Sequence, residues 1–110
     1  MKKYKKIYLK ALGYDLDDHT QRVPSELGPA QACDIHHIFC RGMGGTKEDL
    51  DRIENLMALS RNEHQDYGDK KRYMWTLLSV HRAFLKRNKV PFDNQWFEDK
   101  MEMYAYETEG

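Results

Sequence analysis

The chain has 110 residues, 40% hydrophobic and 33% charged, with 18 Lys/Arg against 18 Asp/Glu, and a mean hydropathy of -0.89. That length fits one domain, 1–110, whose core is thin, because a chain this short buries only roughly 60–70% of its unfolded surface. It contains no apolar run long enough to span a membrane and no apolar stretch behind the lysine-rich start to form a signal peptide, so an intracellular, cytoplasmic setting is expected.

The zero formal charge hides an asymmetry. Residues 1–90 carry 17 Lys/Arg against 12 Asp/Glu, while residues 91–110 carry 1 against 6. A nucleic-acid surface is therefore expected in the first part of the chain. Two cysteines, Cys33 and Cys40, are too few for a disulfide framework, and their spacing fits neither a redox pair nor a zinc knuckle. Both are expected to be plain thiols, buried or half-buried.

In chain order, Lys2 to Ala11 sets Ile7, Tyr8 and Leu12 among five lysines and predicts a short amphipathic helix stopped by Gly13. Residues 14–29 are polar, with two prolines and a glycine, and read as loop. From Ala30 to Phe39 the pattern is extended: Ile35 and His37 fall on one face, Asp34, His36 and Ile38 on the other. Arg41-Gly-Met-Gly-Gly45 follows as a tight or irregular connection. Asn55 to Ser60 is a short apolar run of strand length.

Ser60-Arg-Asn-Glu63 reads as a capping box, so a helix starts at Arg61 and carries His64 in its first turn. Gly68 ends or weakens it. Asp69 is expected to cap a longer helix to about Arg87, with Tyr73, Leu77, Val80 and Phe84, and neighbouring Met74, Leu78, His81 and Leu85, at helical spacing. His81 falls in that apolar stripe and takes a core role, or one behind the metal ligands. Pro91 closes the helix, and Trp96, Phe97, Met101, Met103 and Tyr104 mark another amphipathic helix with an acidic outer face. The core is expected over about 30–70, with C-terminal helices over about 70–106.

A strand, a glycine loop, a second strand and a helix, with histidine at the end of the first strand and the start of the helix, make a compact ββα metal site. The strings Asp34-Ile-His-His-Ile38, Arg41 to Thr46 and Glu54 to Leu59, then a helical His64, resemble the HNH endonuclease family over Ala32 to Asp69. The resemblance implies an α+β fold with a ββα-metal (His-Me finger) core and flanking N- and C-terminal helices. It implies His37 as general base, His36 and His64 as metal ligands, and Asn55 as the middle station that steadies loop and base or ligates metal. A neutral histidine can accept a water proton near pH 7, and one divalent ion can stabilise charge on the scissile phosphate and the leaving 3′-oxygen.

Two departures stand out. Many HNH proteins carry two C-x-x-C pairs that bind structural zinc, and here Ser25 and Gly28, then Ser60 and Glu63, occupy those places, so no structural zinc is expected. Colicin-type nucleases place another metal histidine where this chain has Gly68. The third ligand is open among Asp34, Asp66 and Asp69; Asp34 shares the His36 face and can support or ligate. A carboxylate with two imidazoles suits magnesium or manganese, and the histidines also tolerate nickel or zinc.

Arg41 is the first choice for a phosphate contact, followed by Lys47 and Arg61, with Lys70, Lys71 and Arg72 as a basic cluster. The expected function is hydrolysis of DNA phosphodiester bonds. The alternative is a catalytically inactive HNH-like module for DNA binding or assembly. Small HNH proteins occur in phages, mobile elements and restriction systems, and a homodimer through the acidic tail is left open.

Overall fold

A computed structural model describes residues 1–39 and 46–105, apart from the side chains of Lys47 and Glu48. Cys40 and the expected Arg41–Gly45 connection lie outside the described residues. Along the chain run α1 (Lys3–Ala11), β1 (Asp34–His37), α2 (Lys47–Leu50), a 3₁₀ turn (Ile53–Asn55), β2 (Leu56–Leu59), α3 (Arg61–Tyr67), α4 (Lys71–Arg87) and α5 (Asn94–Met103). The class is α+β. Among the described residues, no helix is long and apolar enough to cross a membrane.

β1 and β2 pair antiparallel, with Asp34 opposite Leu59, Ile35 opposite Ala58, His36 opposite Met57 and His37 opposite Leu56. Side chains alternate across a strand, so this register sorts the residues onto two faces. Ile35, Leu56 and Ala58 pack on Tyr8 of α1. Met57 and Leu59 join Met74, Leu77, Leu78 and Leu85 of α4 and Phe97 of α5 in the larger core. With both faces covered, all four residues of β2 are buried. The paired part of β1 is shorter than the expected 30–39 strand, since Gln31 makes only an isolated bridge to Pro24. Cys33 precedes the paired residues and its thiol is exposed, which corrects the expectation of a buried or half-buried cysteine.

The α3 start forms as expected. Ser60 accepts from the Glu63 amide at 3.3 Å and Glu63 Oε1 accepts from the Ser60 amide at 2.8 Å, closing the capping box. The same Glu63 oxygen accepts the Ser25 hydroxyl, and a Cβ at Gly28 would lie 3.5 Å from the other oxygen. Ser25, Gly28, Ser60 and Glu63 therefore meet at one point, and a carboxylate clasp joins the 23–31 loop to the head of α3. Burial raises the Glu63 pKa, but hydrogen bonds from Ser25 and Ser60 outweigh it and hold the group lowered and ionised.

Asp69 does not cap α4. The residue before that helix is Lys70, which makes no side-chain cap, and Asp69 sits in the left-handed region with φ 61° and turns its carboxylate elsewhere. Asp93 caps α5 by accepting from Gln95 and Trp96 amides at 3.0 and 3.2 Å. Its own amide donates to buried Glu54 at 2.7 Å, tying α5 to the 3₁₀ turn.

Under the sheet lies a fully buried polar network. Glu26 Oε1 is 2.6 Å from His81 Nδ1, and Glu26 Oε2 accepts the Tyr8 hydroxyl at 2.7 Å and the Ala58 amide at 3.1 Å. The other His81 nitrogen donates to the Ile53 carbonyl at 2.7 Å. Burial, then the Glu26 charge, pushes the Tyr8 hydroxyl far above its ordinary pKa, so it stays a donor. Removing the Glu26 carboxylate strands its donors away from water, which costs about 3–5 kcal/mol, whereas without the Tyr8 hydroxyl the carboxylate keeps two partners. Glu26→Ala is therefore expected to lose stability on that scale in urea unfolding, whereas Tyr8→Phe loses only about 1 kcal/mol, the net worth of one hydrogen bond. Equal, small losses for both variants would show that the network does not hold the core.

Candidate metal centre

β1 ends in two histidines, and the pleat sends them apart. His36 points to the face of Met57 and is buried, 4% exposed. His37 lies on the α1 face, half-buried, its ring 4.5 Å from that of Tyr4. The capping box fixes α3 so that His64 reaches the first face, where its ring centroid is 4.4 Å from that of His36.

Asp69 completes the group. Its carboxylate oxygens lie 4.0 Å from His36 Nε2 and 3.7 Å from His64 Nε2. The ligand atoms of His36, His64 and Asp69 all fall within 4.8 Å of one another, a set that could hold a metal ion. His36 Nε2 is buried with no hydrogen-bond partner, although buried polar atoms are nearly always paired. Two imidazole nitrogens and a carboxylate facing each other, one of the nitrogens orphaned, could hold a metal ion.

Gly68 makes this approach feasible. A Cβ there would come within 2.6 Å of the His64 carbonyl, 2.8 Å of the His64 ring and 3.1 Å of the His36 ring. A side chain at 68 would collide with both rings, and the third ligand atom, a carboxylate oxygen, is offered by the next residue, Asp69. Its positive φ costs of order 1–3 kcal/mol for a residue other than glycine, and such strain gathers where a side chain is aimed for a purpose.

Asp34 Oδ1 pairs with Lys5 Nζ at 3.2 Å and accepts from the Ile35 amide at 2.8 Å, so the structure does not bring it into the group. Asp66 is also outside it. Asn55 is fully buried: its Oδ1 accepts from the Phe39 amide at 2.7 Å, and its Nδ2 donates to the carbonyls of Phe39 and Leu50, each at 3.0 Å. One amide side chain thus pins both ends of the segment between Phe39 and Leu50. Arg61, Lys70 and Lys71 are exposed. Arg41 and the Lys47 side chain lie outside the described residues.

No family model, curated protein or solved structure matches the chain. The site is defined by its geometry alone. That geometry includes one residue the sequence did not single out: Asp51 Oδ1 is 2.9 Å from His37 Nε2. Nothing in its spacing separates Asp51 from Asp49, because the pairing depends on how the 3₁₀ turn brings the preceding loop back to the end of β1.

Burial, then the neighbouring His64, pushes the His36 imidazole from an ordinary 6.5 down to about 4. A neutral ring is the form that ligates. The unfolded chain takes up this proton below about pH 6.5 and the folded chain only near 4, so the metal-free protein loses stability as pH falls through that window and keeps it above. Thermal unfolding in chelator should show Tm dropping between pH 6.5 and 4, each kcal/mol being worth roughly 4–8 °C at this size. His36→Gln should flatten the drop. An unchanged profile in that variant would contradict a buried neutral His36.

Proposed function

We propose that this chain is a metal-dependent endonuclease that hydrolyses DNA phosphodiester bonds, built on the ββα-metal core of the HNH family. The observation that carries this reading is the division of labour at the end of β1. Buried, neutral His36 meets the more open His64 and Asp69 as a candidate ligand set, while its neighbour His37 is left half-exposed against a carboxylate. A second observation supports the family resemblance. The four positions at which HNH relatives carry zinc cysteines converge here, joined through Glu63 instead.

Here His36, His64 and Asp69 would hold the ion. A bound divalent cation supplies Lewis-acid stabilisation of the charge that develops on the scissile phosphate and the leaving 3′-oxygen. His37 accepts a proton from water as the water oxygen bonds to phosphorus and the bond from phosphorus to the 3′-oxygen breaks. The Asp51 carboxylate, at 2.9 Å, holds the ring and stabilises the imidazolium that forms. The 3′-oxygen leaves with the bonding pair and is protonated from solvent. Asn55 serves at one remove by tying Phe39, just past β1, to Leu50 at the end of α2.

Nicking of supercoiled plasmid, with magnesium, manganese, nickel and zinc in turn, tests the proposal. Wild-type protein should nick with at least one ion and lose activity in chelator. His37→Ala should lower the rate by about 10²–10⁴-fold, the usual worth of a general base, while metal affinity holds. His64→Ala should lose metal affinity and activity together. DNA binding without cleavage under every ion would instead support the reading of an inactive HNH-like binding or assembly module.

A further inference from the structure

One turn beyond His64, the corner between α3 and α4 carries a feature that the hydrolytic site does not use. Leu27, Tyr67, Tyr73, Thr76 and Leu77 line a recess of about 350 Å³, within the size range of small-ligand pockets. Its walls are aromatic and aliphatic. The Tyr67 and Tyr73 rings meet edge to face at 5.1 Å, and Tyr67 stays 39% exposed.

The start of α4, which carries Tyr73, is cationic. Lys70, Lys71 and Arg72 are all exposed, and the Arg72 guanidinium lies 4.7 Å from the Tyr73 ring centre while donating to its hydroxyl at 2.8 Å. Residues three and four apart share a helix face, so Lys71, Arg72 and Trp75 lie together, and Trp75 is 38% exposed. Trp75 thus keeps more than a third of its surface open to solvent on the helix face that Lys71 and Arg72 share. Asp66 and Asp69 are the acidic neighbours in sequence; Lys70 Nζ donates to the Asp66 carbonyl at 2.9 Å, and Asp69 faces the histidines.

Aromatic faces alternating with cations are how proteins hold single-stranded nucleic acid: each base has a face to stack, and each phosphate a cation to meet. Paired bases in a duplex are stacked on one another and cannot enter a recess. We infer that the α3–α4 corner is a docking site for unstacked bases of a single-stranded polynucleotide, with one base in the Tyr67–Tyr73 recess, a second on Trp75, and the backbone on Lys70, Lys71 and Arg72. Tyr67 is on the same helix as His64, three residues on, or about 4.5 Å along the axis. The site thus deepens the proposed nuclease reading, and rests on it only for the claim that the bound strand is substrate: the favoured substrate is single-stranded or locally unpaired.

The test is fluorescence anisotropy of a labelled single-stranded oligothymidylate with the full chain, in chelator so that no cleavage occurs, at about 0.15 M salt where weak surface attraction is screened. A duplex of equal length is the comparison. The single strand should bind more tightly than the duplex. Trp75→Ala, at an exposed position, and Tyr73→Leu, which keeps apolar bulk, should each weaken single-strand binding by about 5- to 150-fold, as expected for one lost stacking contact. Duplex binding should not change. Emission from Trp75 should be quenched on binding, while buried Trp96 is not.

Single-strand affinity unchanged in both variants, or a duplex bound as well as the single strand, would overturn the inference. So would self-association that Trp75→Ala abolishes, since the recess would then receive a second copy. Plasmid nicking with ring-independent binding would leave the nuclease standing and remove this site. Ring-dependent binding with no cleavage under any ion would do the reverse.

Discussion

Burying a carboxylate costs several kcal/mol unless every oxygen finds a donor, and the Glu26 carboxylate is buried under a sheet of only two strands. Its solution is to gather donors from separate parts of the chain. Tyr8 comes from α1, the Ala58 amide from β2 and His81 from the middle of α4. His81 then passes the constraint on to the Ile53 carbonyl, at the head of the turn that carries Asn55. A two-stranded ribbon is marginal alone, and here it is held on both faces by elements that meet at one charge.

The candidate site follows from that frame. With β2 held between α1 and α4, the register of β1 is fixed, and register decides which histidine is buried. A slip of one residue would exchange His36 and His37 and put the half-exposed ring among the apolar side chains. Glu63 then sets the head of α3, and so the approach of His64, by taking hydrogens from Ser25 and Ser60 at once. A carboxylate and two hydroxyls thus join the 23–31 loop to the head of α3.

Short-range chemistry was legible in the sequence. The Ser60–Glu63 box spans three residues and follows from residue types alone, the α4 stripe follows from helical period, and the opposed faces of His36 and His37 follow from the pleat. What could not be read depends on contacts across the chain or on backbone geometry. Glu26 and His81 are 55 residues apart. Asp69 looked like a helix cap because aspartate before a helix usually is one; the steric closure at Gly68 and a positive φ send it to the histidines instead. Asp34 looked equally suited on its strand face, but Lys5 of α1 takes its carboxylate. Asp51 reaches His37 only because the chain turns back after α2.

The central claim is that His36, His64 and Asp69 hold one divalent ion. Anomalous diffraction from crystals grown with manganese tests it without reference to activity. The account predicts a single strong peak bounded by His36 Nε2, His64 Nε2 and the Asp69 carboxylate, and its loss in Asp69→Ala. A peak held by Asp34 or Asp66 instead, or none between the two histidines at saturating manganese, would contradict it.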